Sequence, residues 1–299
     1  MPASEGTCVM PGRDDVHPPI QAIRPIVTLA LEEDLLPLGD LTSMLLDPSE
    51  LGEAHFVARR AGVVAGTRTV LEVCRQVDAV LSCLVVLDDG ECVPAGGVIA
   101  TVRGPFGSIL SAERTALNFL SHLSGVATLT DRYVRSAREG GSAARVWDTR
   151  KTTPGLRALE KAAVRAGGGY NHRGNLSEAI LIKDNHLGGI SIADAVSRAR
   201  LRWPGRMVEV ECDSLAQVGE AVTAGATLVL CDNMTPEQVK EAVLIASQSR
   251  PGAARSLIEA SGGVSLANVA AYAAAGADLI SVGALTHSAP ILDIGLDLA

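Results

Sequence analysis

The hydrophobic pattern in the first half of the chain changes from helical to strand-like and back. From about residue 20 to residue 36, apolar side chains recur at helical spacing, which predicts a helix. Between about residues 54 and 104, short apolar runs alternate with Gly and Pro, which is typical of strands joined by turns, with one helix near residues 67–79. About 30 residues of helical periodicity follow, and a bend is predicted at Ser124 and Gly125.

The remainder of the chain repeats a strand and helix pattern. Six apolar runs alternate with amphipathic segments at steps of roughly 20 to 33 residues, which indicates βα units and a parallel sheet, open or closed. The runs are ARVWDT, EAILIKD, MVEVEC, TLVLCD, SLIEAS and DLISVGA. Each run ends in polar residues or glycine. In an α/β barrel these strand ends meet at one mouth, so we expect a ligand site there.

Composition and charge narrow the class of protein. The 299 residues are 47% hydrophobic but only 3% aromatic, which predicts a globular protein with an aliphatic core and one large or two ordinary domains. A net charge of −8 disfavours nucleic acid and anionic membranes as partners. No apolar run of about 18 residues and no signal-peptide pattern occurs, so we expect a cytoplasmic protein without a membrane partner.

The most unusual stretch is DTRKTTPGLRALEKAAVRAGGGYNHR, residues 148–173, which is basic in an acidic chain. Arg150 and Lys151 stand where a strand ends. The triple glycine at 167–169 is expected to turn the chain sharply and return residues 171–173 to that strand end. The two ends together predict a site for small polyanions.

Three basic residues between those ends recur every four positions, namely Arg157, Lys161 and Arg165. This spacing puts them on one face of a helix, and we favour a solvated face over a ligand-binding role for them.

Charged residues also end three later runs. Lys183 follows an apolar run, and a buried lysine without an anion costs several kcal/mol, which favours a bound anion over the alternative of a salt bridge to Asp184 or Glu211. Glu211 and Asp232 suit a divalent cation that substrate phosphates also coordinate, or they bind sugar hydroxyls. Buried ion pairs give the same pattern.

The last two strand ends, ASGGVS and SVGALTHS, combine small residues with a turn. Two such ends in succession are typical of a phosphate site built from backbone N–H groups, although glycine at a helix start is the simpler explanation for either one alone. The sequence contains no P-loop, H-E-x-x-H or G-x-S-x-G motif.

Taken together, these segments resemble the quinolinate phosphoribosyltransferase family. The similarity runs from about residue 22 to the C-terminus and rests on the basic run, LIKDNH, VEVECDSL, LVLCDNM, EASGGVS and SVGALTHS in this order, with EEDLLPLGDLTS and SAERTALNFLSHLSG before them. It implies a glycosyltransferase that joins quinolinate to 5-phosphoribosyl 1-diphosphate with Mg²⁺. The implied products are nicotinate mononucleotide for NAD biosynthesis, diphosphate and CO2.

The resemblance also implies the architecture. It indicates an N-terminal α/β sandwich, to which the C-terminus returns, and an incomplete α/β barrel of the TIM-like type. We therefore divide the chain into a mobile extension at 1–20, a sandwich domain at 21–126 with 287–299, and a catalytic barrel domain at 127–286. A homodimer is implied, in which Arg114 reaches the site of the partner.

The resemblance carries over a set of substrate-binding residues. They are Arg114, Thr149, Arg150, Lys151, His172, Arg173, Lys183, Glu211, Asp232, Ser261, Gly262, Gly263, Val282, Gly283, Ala284 and His287. Lys151, Lys183, Glu211 and Asp232 have the implied catalytic roles, and the last two are the implied Mg²⁺ ligands, directly or through substrate or water. The quinolinate carboxylates are expected at Arg114, Arg150, His172, Arg173 and Lys183, and the 5-phosphate at the glycine-rich strand ends.

Three alternatives stay open. The first is a homologue of the same fold that binds another ligand. The second is a Schiff-base aldolase that uses Lys183, and the third is a sugar-phosphate sensor that binds its ligand without turnover. The six cysteines lack metal-ligand spacing, and we expect reduced thiols. Cys212 and Cys231 stand where the family pattern has aliphatic residues, and they are expected to make their strands sensitive to thiol reagents.

Overall fold

The computed structural model describes residues 16–248 and 254–299. Its elements in chain order are α1 (Ile20–Leu35), a 3-10 helix (Ser43–Leu45), β1 (Leu51–Ala58), β2 (Gly62–Val63), α2 (Thr67–Val77), β3 (Ser82–Val85), β4 (Cys92–Val93), β5 (Val98–Pro105), α3 (Phe106–Glu139), β6 (Arg145–Trp147), α4 (Arg157–Ala166), β7 (Ile180–Ile182), α5 (Asp184–Leu187), α6 (Ile192–Arg202), β8 (Val208–Cys212), α7 (Leu215–Ala224), β9 (Leu228–Asp232), α8 (Pro236–Ser247), β10 (Leu257–Ser261), α9 (Val269–Ala274), β11 (Leu279–Ser281), α10 (Ala284–His287) and β12 (Ile294–Leu298). None of the helices in these ranges is long and apolar enough to cross a bilayer.

The chain forms two compact units. Of the described residues, the first unit contains 16–131, 152–168 and 284–299. The second unit contains 132–151, 169–248 and 254–283. The first unit therefore includes residues 152–168, which the sequence-based division assigned to the barrel domain.

An antiparallel sheet organises the first unit. Its four strands run in the order β12-β1-β5-β3, so the C-terminal strand pairs with β1, with Ala54 opposite Leu298. The predicted helices near residues 20 and 67 are α1 and α2, and they pack against each other. Phe56 and Ile99 are fully buried on this sheet, and the core of the unit is mainly aliphatic, with Phe119 also buried. The expected return of the C-terminus to an N-terminal α/β sandwich is confirmed.

The helix α3 runs without interruption through Ser124 and Gly125, where a bend was predicted. The glycine has a packing role instead. A Cβ atom on Gly125 would lie 2.2 Å from the carbonyl oxygen of Pro290 and 2.9 Å from Cα of Ile291. The close crossing of these two segments therefore requires a residue without a side chain.

A parallel sheet forms the second unit. Its six strands run in the order β6-β11-β10-β9-β8-β7, and all six are the strands that the sequence predicts. In a closed barrel β6 would pair with β7, but among the described strands these two remain edges. Tyr170 makes only an isolated parallel bridge with Trp147 at this position. The sheet therefore matches the expected incomplete α/β barrel.

The packed chain begins before residue 20. Residues 1–15 of the predicted extension lie outside the described residues, but Val16 is 2% exposed and Pro18 is buried. Val16 and Pro18 are thus buried in the first unit, inside the range that the sequence assigns to a mobile extension.

A histidine and two aspartates, which we call the cap cluster, lie at the start of α2. His17 has Nε2 3.3 Å from Oδ2 of Asp88 and Nδ1 3.3 Å from Oδ2 of Asp89. Asp89 in turn accepts hydrogen bonds from the backbone N–H groups of Gly66 (3.0 Å) and Thr67 (2.9 Å). The cluster thus joins the N-terminal segment to a helix end whose N–H groups lack partners within the helix.

The helix α4 is packed on nearly every side within the first unit. Lys161 is only 6% exposed, Arg157 donates to Oγ1 of Thr152 (3.0 Å), and Arg165 donates to the carbonyl of His17 (3.4 Å). The predicted solvated basic face is therefore wrong. Periodic spacing groups side chains on one face of a helix, but it does not tell which face another part of the chain covers.

Candidate active site

A cavity of about 320 Å³ lies at the carboxyl ends of the parallel strands of the second unit. Nine of the predicted site residues line it: Thr149, Arg150, Lys151, His172, Arg173, Lys183, Glu211, Asp232 and Ser261. The other lining residues are Leu181, Leu230, Glu259 and Ser281. All six strands of the sheet, or the residues next to them, contribute to this cavity.

The two ends of the basic run meet through Asp148. This carboxylate is fully buried, and its Oδ1 accepts the backbone N–H of His172 (2.9 Å) while its Oδ2 accepts the side-chain amide of Asn171 (2.6 Å). The backbone N–H of Asp148 donates to the carbonyl of Tyr170 (3.1 Å). The loop that follows the triple glycine therefore returns to the end of β6, as the sequence predicts.

The strand-end lysine forms an ion pair. Nζ of Lys183 lies 2.5 Å from Oε2 of Glu211, with 39% and 17% of the two side chains exposed. Of the two salt bridges considered as an alternative, the one to Glu211 is therefore present. Because Lys183 also lines the cavity, an anion that enters would compete with Glu211 for this ammonium group.

Three buried side chains, which we call the floor cluster, lie at the base of the cavity. His172 has Nε2 3.0 Å from Oε2 of Glu209 and 3.9 Å from Oε2 of Glu259. Both carboxyl groups are completely buried, and burial is the main cause that raises the pKa of each well above its usual value. Ser281 donates a hydrogen bond to Oε1 of Glu259, and Trp147 packs edge-on against His172 with ring centroids 5.1 Å apart.

Neither glutamate of the floor cluster is among the site residues predicted from the sequence. A signal was available in VEVEC, where Glu209 and Glu211 alternate with apolar residues and therefore lie on one face of β8. Glu259 lies within the apolar run SLIEAS in the same way. A glutamate at an inward position of a buried parallel strand is rare enough to mark a functional or structural site.

The guanidinium group of Arg173 lies near a second one, that of Arg150. Burial lowers the pKa of Arg173, the carboxylate of Glu209 opposes that shift, and the positive charge of Arg150 adds to it. Arg173 also donates to the carbonyl of Ala179 (3.0 Å). Neighbouring guanidinium groups are best balanced by a ligand with more than one negative charge.

The glycine-rich strand ends continue directly from β10 and β11, which are neighbours in the sheet. Gly262 has φ +85°, and a Cβ atom there would lie 2.3 Å from Oδ1 of Asn233. Gly263 also has a positive φ, at +62°. These residues, with Val282 and Gly283, belong to the second unit but are not among the cavity lining. Consecutive glycines of this kind expose backbone N–H groups, which suits an anion.

The remaining three predicted residues belong to the first unit, namely Arg114, Ala284 and His287. Arg114 is exposed and lines a pocket of about 250 Å³ in that unit, together with Glu33 and Asp34. His287 is exposed, and its Nδ1 lies 2.6 Å from Oγ of Ser288.

The two cysteines beside the site are buried. Cys212 and Cys231 are both 0% exposed, and burial raises the pKa of each thiol to about 12. Because thiolates react and buried thiols do not, the expected sensitivity of these strands to thiol reagents is wrong for the folded protein. Cys8 lies outside the described residues.

Comparison with known proteins agrees with this arrangement along nearly the whole chain. The protein-family model of the quinolinate phosphoribosyl transferase N-terminal domain matches residues 40–124. The family model of the C-terminal domain matches residues 126–297. Nicotinate-nucleotide pyrophosphorylase [carboxylating] of Mycobacterium leprae is 42% identical, over 93% of this chain and 97% of its own. The probable nicotinate-nucleotide pyrophosphorylase [carboxylating] of Bacillus subtilis is 41% identical, over 87% and 88%.

A solved structure shows the same fold. The nicotinate-nucleotide pyrophosphorylase from Francisella tularensis superimposes with a TM-score of 0.88 at 35% identity, over 95% of this chain and 99% of its own. With both domain models matched in order and relatives of this identity covering almost all of the sequence, the chain belongs to the quinolinate phosphoribosyl transferase family.

Proposed function

We propose that this protein transfers the phosphoribosyl group of 5-phosphoribosyl 1-diphosphate to quinolinate with decarboxylation, giving nicotinate mononucleotide, diphosphate and CO2 for NAD biosynthesis. The observation that carries the proposal is the cavity, where Arg150, Lys151, Arg173 and Lys183 converge from separate segments of an acidic chain. Membership of the family and the names of the relatives support this reaction.

The chemistry explains why cations rather than a general base dominate the cavity. Quinolinate carries two adjacent carboxylates, for which paired guanidinium groups are suited, here Arg150 and Arg173. The pyridine nitrogen attacks the anomeric carbon with its own lone pair as diphosphate leaves, so no proton has to be removed. Lys151 and Lys183 stabilise negative charge in this step.

Decarboxylation follows from the product of that attack. Loss of CO2 leaves an electron pair on the ring carbon next to the nitrogen, which is now cationic and stabilises it. A proton from water then bonds to that carbon and gives nicotinate mononucleotide. The contribution of the protein is to orient the two polyanions.

We also propose Mg²⁺ as the cofactor. Glu211 and Asp232 lie at adjacent strand ends and both line the cavity, and carboxylate oxygens are the ligands that this ion prefers. These residues would hold the ion directly or through substrate or water. When bound, Mg²⁺ neutralises charge on the diphosphate.

We further propose a homodimer in which each subunit donates Arg114 to the site of its partner. Exposed apolar side chains on both units support this assembly. In the first unit Leu36, Leu38 and Leu45 are 66%, 67% and 85% exposed. In the second unit, residues of β7 and α6 line an apolar cleft together with Trp203, which is 53% exposed. Large apolar surfaces of this kind are typical of interaction sites.

The free cysteines of the described chain, Cys74, Cys83, Cys92, Cys212 and Cys231, agree with a reducing compartment. We propose the cytoplasm as the place where the enzyme acts.

The test of the reaction is direct. Purified protein is incubated with quinolinate, 5-phosphoribosyl 1-diphosphate and Mg²⁺, and nicotinate mononucleotide and CO2 are measured. We expect turnover with quinolinate and none with nicotinate, which lacks the carboxyl group next to the ring nitrogen. Absence of product, or equal use of nicotinate, would contradict the proposal. Borohydride trapping of a carbonyl substrate on Lys183 would instead favour an aldolase.

The shared site is tested with mixed dimers. Arg114→Ala and Arg150→Ala are each expected to be inactive, but after subunit exchange one site of each mixed dimer has both arginines. Random mixing of equal amounts should restore about a quarter of wild-type activity. The two variants carry different affinity tags, so that mixed dimers can be isolated by two successive affinity steps. No recovery of activity in the isolated mixed dimers would contradict the donation of Arg114.

A further inference from the structure

Both ring nitrogens of His172 are engaged within the protein. The backbone N–H of Arg173 donates to Nδ1 (2.8 Å), and Nε2 lies 3.0 Å from Oε2 of Glu209. A backbone N–H is only a donor, so Nδ1 is the acceptor in the first bond. The ring hydrogen is therefore on Nε2 and is donated to Glu209.

This tautomer argues against a metal ion in the floor cluster, although its three side chains have ligand atoms within 4.8 Å of one another. A metal on Nε2 would displace the hydrogen from that nitrogen, while Nδ1 still accepts from Arg173. The ring would then have no hydrogen on either nitrogen. Metal-bound histidines normally keep a hydrogen on the second nitrogen and donate it.

The remaining contacts fix the plane and position of the ring. Trp147 packs against it at an interplanar angle of 74°, and Asp148 accepts the backbone N–H of His172 (2.9 Å). His172 is 7% exposed, so little of the ring reaches the cavity. These contacts suit a residue that supports its neighbour better than one that donates to a substrate.

We propose that His172 and Glu209 act together as positioning residues for Arg173, an inference that rests on the proposed function. Glu209 holds the hydrogen of Nε2, which keeps Nδ1 directed at the backbone N–H of Arg173. At its other end Arg173 is held by the carbonyl of Ala179. Two fixed points orient the guanidinium group toward the cavity before a dicarboxylate binds, so less conformational entropy is lost on binding.

The hydrogen bond, rather than the charge of Glu209, is the feature under test. Glu209→Gln keeps an oxygen that accepts from Nε2, whereas Glu209→Leu fills a similar volume without an acceptor. We expect the leucine variant to raise KM for quinolinate about tenfold or more and to leave KM for 5-phosphoribosyl 1-diphosphate within about twofold. The glutamine variant should stay within about threefold of wild type for both substrates.

The kinetic results distinguish a failure of the proposed function from a failure of the positioning role of His172 and Glu209. Wild-type protein without turnover would refute the proposed function, and this inference with it. With active wild type, an unchanged KM for quinolinate in Glu209→Leu, or equal impairment of both variants with normal thermal unfolding, would overturn the inference alone. If Glu209→Leu fails to fold, His172→Phe is measured instead, because it keeps an aromatic ring beside Trp147 but has neither ring nitrogen. An unchanged KM for quinolinate in that variant would also overturn the inference.

Discussion

The cap cluster of the first unit and the floor cluster of the second contain nearly the same side chains but serve different purposes. Each combines one histidine with two carboxylates whose ligand atoms lie within 4.8 Å of one another. Each unit also has a buried aspartate that accepts from the backbone. Asp89 is a member of the cap cluster and accepts two N–H groups, whereas Asp148 binds the floor cluster by accepting the N–H of His172. The chemistry of the two arrangements is thus alike.

What differs is the segment that each aspartate holds. Asp89 holds the first residues of α2, so its hydrogen bonds stabilise a helix end. Asp148 holds Asn171 and His172, so its hydrogen bonds fix the loop that carries Arg173 into the cavity. The composition of a buried cluster therefore does not reveal its role. The role follows from the backbone that the cluster orders.

We expect the largest loss of activity when one of the positively charged side chains of the cavity is removed. Arg150→Ala removes a guanidinium group that the proposed dicarboxylate would require, and we expect kcat/KM for quinolinate to fall about 100-fold or more with normal thermal unfolding. Arg138→Ala, at an exposed position of α3, is the control and should leave the kinetics unchanged. Unchanged kinetics in Arg150→Ala would show that the cavity does not bind quinolinate.

A smaller kinetic effect is expected from Asp148→Asn. The new amide turns one acceptor oxygen into a donor, which leaves a buried donor of residues 171–172 without an acceptor. We expect about 1–3 kcal/mol lower free energy of unfolding and about a tenfold higher KM for quinolinate. Denaturant unfolding and steady-state kinetics measure both. A change in stability alone would contradict the role of Asp148 in the cavity.

The matched change in the first unit is Asp89→Asn, which likewise places an amide group opposite the backbone N–H of Gly66 or Thr67. The free energy of unfolding should again fall by about 1–3 kcal/mol, but KM for quinolinate should change less than twofold. The same measurements apply. A rise in KM equal to that of Asp148→Asn would remove the distinction between the two aspartates.

The smallest effect concerns the pH dependence of the cap cluster. Contact with Asp89 is the main cause that raises the pKa of His17 above 6.5; the charges of Asp88 and Asp89 add to it, while burial and Arg68 oppose it. A histidine with a raised pKa in the folded state stabilises the protein fully below its unfolded pKa, and this contribution is lost as pH rises through the folded pKa.

We therefore expect the difference in free energy of unfolding between wild type and His17→Gln to be largest near pH 6 and to shrink toward pH 9. Kinetic constants at one pH should be equal in the two proteins. A difference that grows with pH would contradict the orientation of His17 between the two aspartates.

Much of the fold followed from the sequence because parallel strands bury both faces. A run such as TLVLCD is apolar throughout and then ends in a charge, which marks both β9 and the position of Asp232 at the cavity. Arg150 and Lys183 were found in the same way. Glu209 was not, because a single glutamate inside an apolar run was less visible than a charge at its end.

Other features depend on contacts between segments that are distant in the chain. Lys161 is buried in α4, a helix that contacts α1 and α10. His17 contacts Asp88 and Asp89, which lie about 70 residues further along the chain. Spacing within one segment carries no information about either partner.

The sequence by itself determined the six strands, the residues at their ends and the family, because apolar periodicity and strand-end chemistry are local properties of the chain. Only the tertiary structure decided that Asp148 joins the two ends of the basic run and that His172 donates to Glu209 and accepts from Arg173. The physical reason is that the direction of a hydrogen bond and the face of a helix that is covered are fixed by what packs against them.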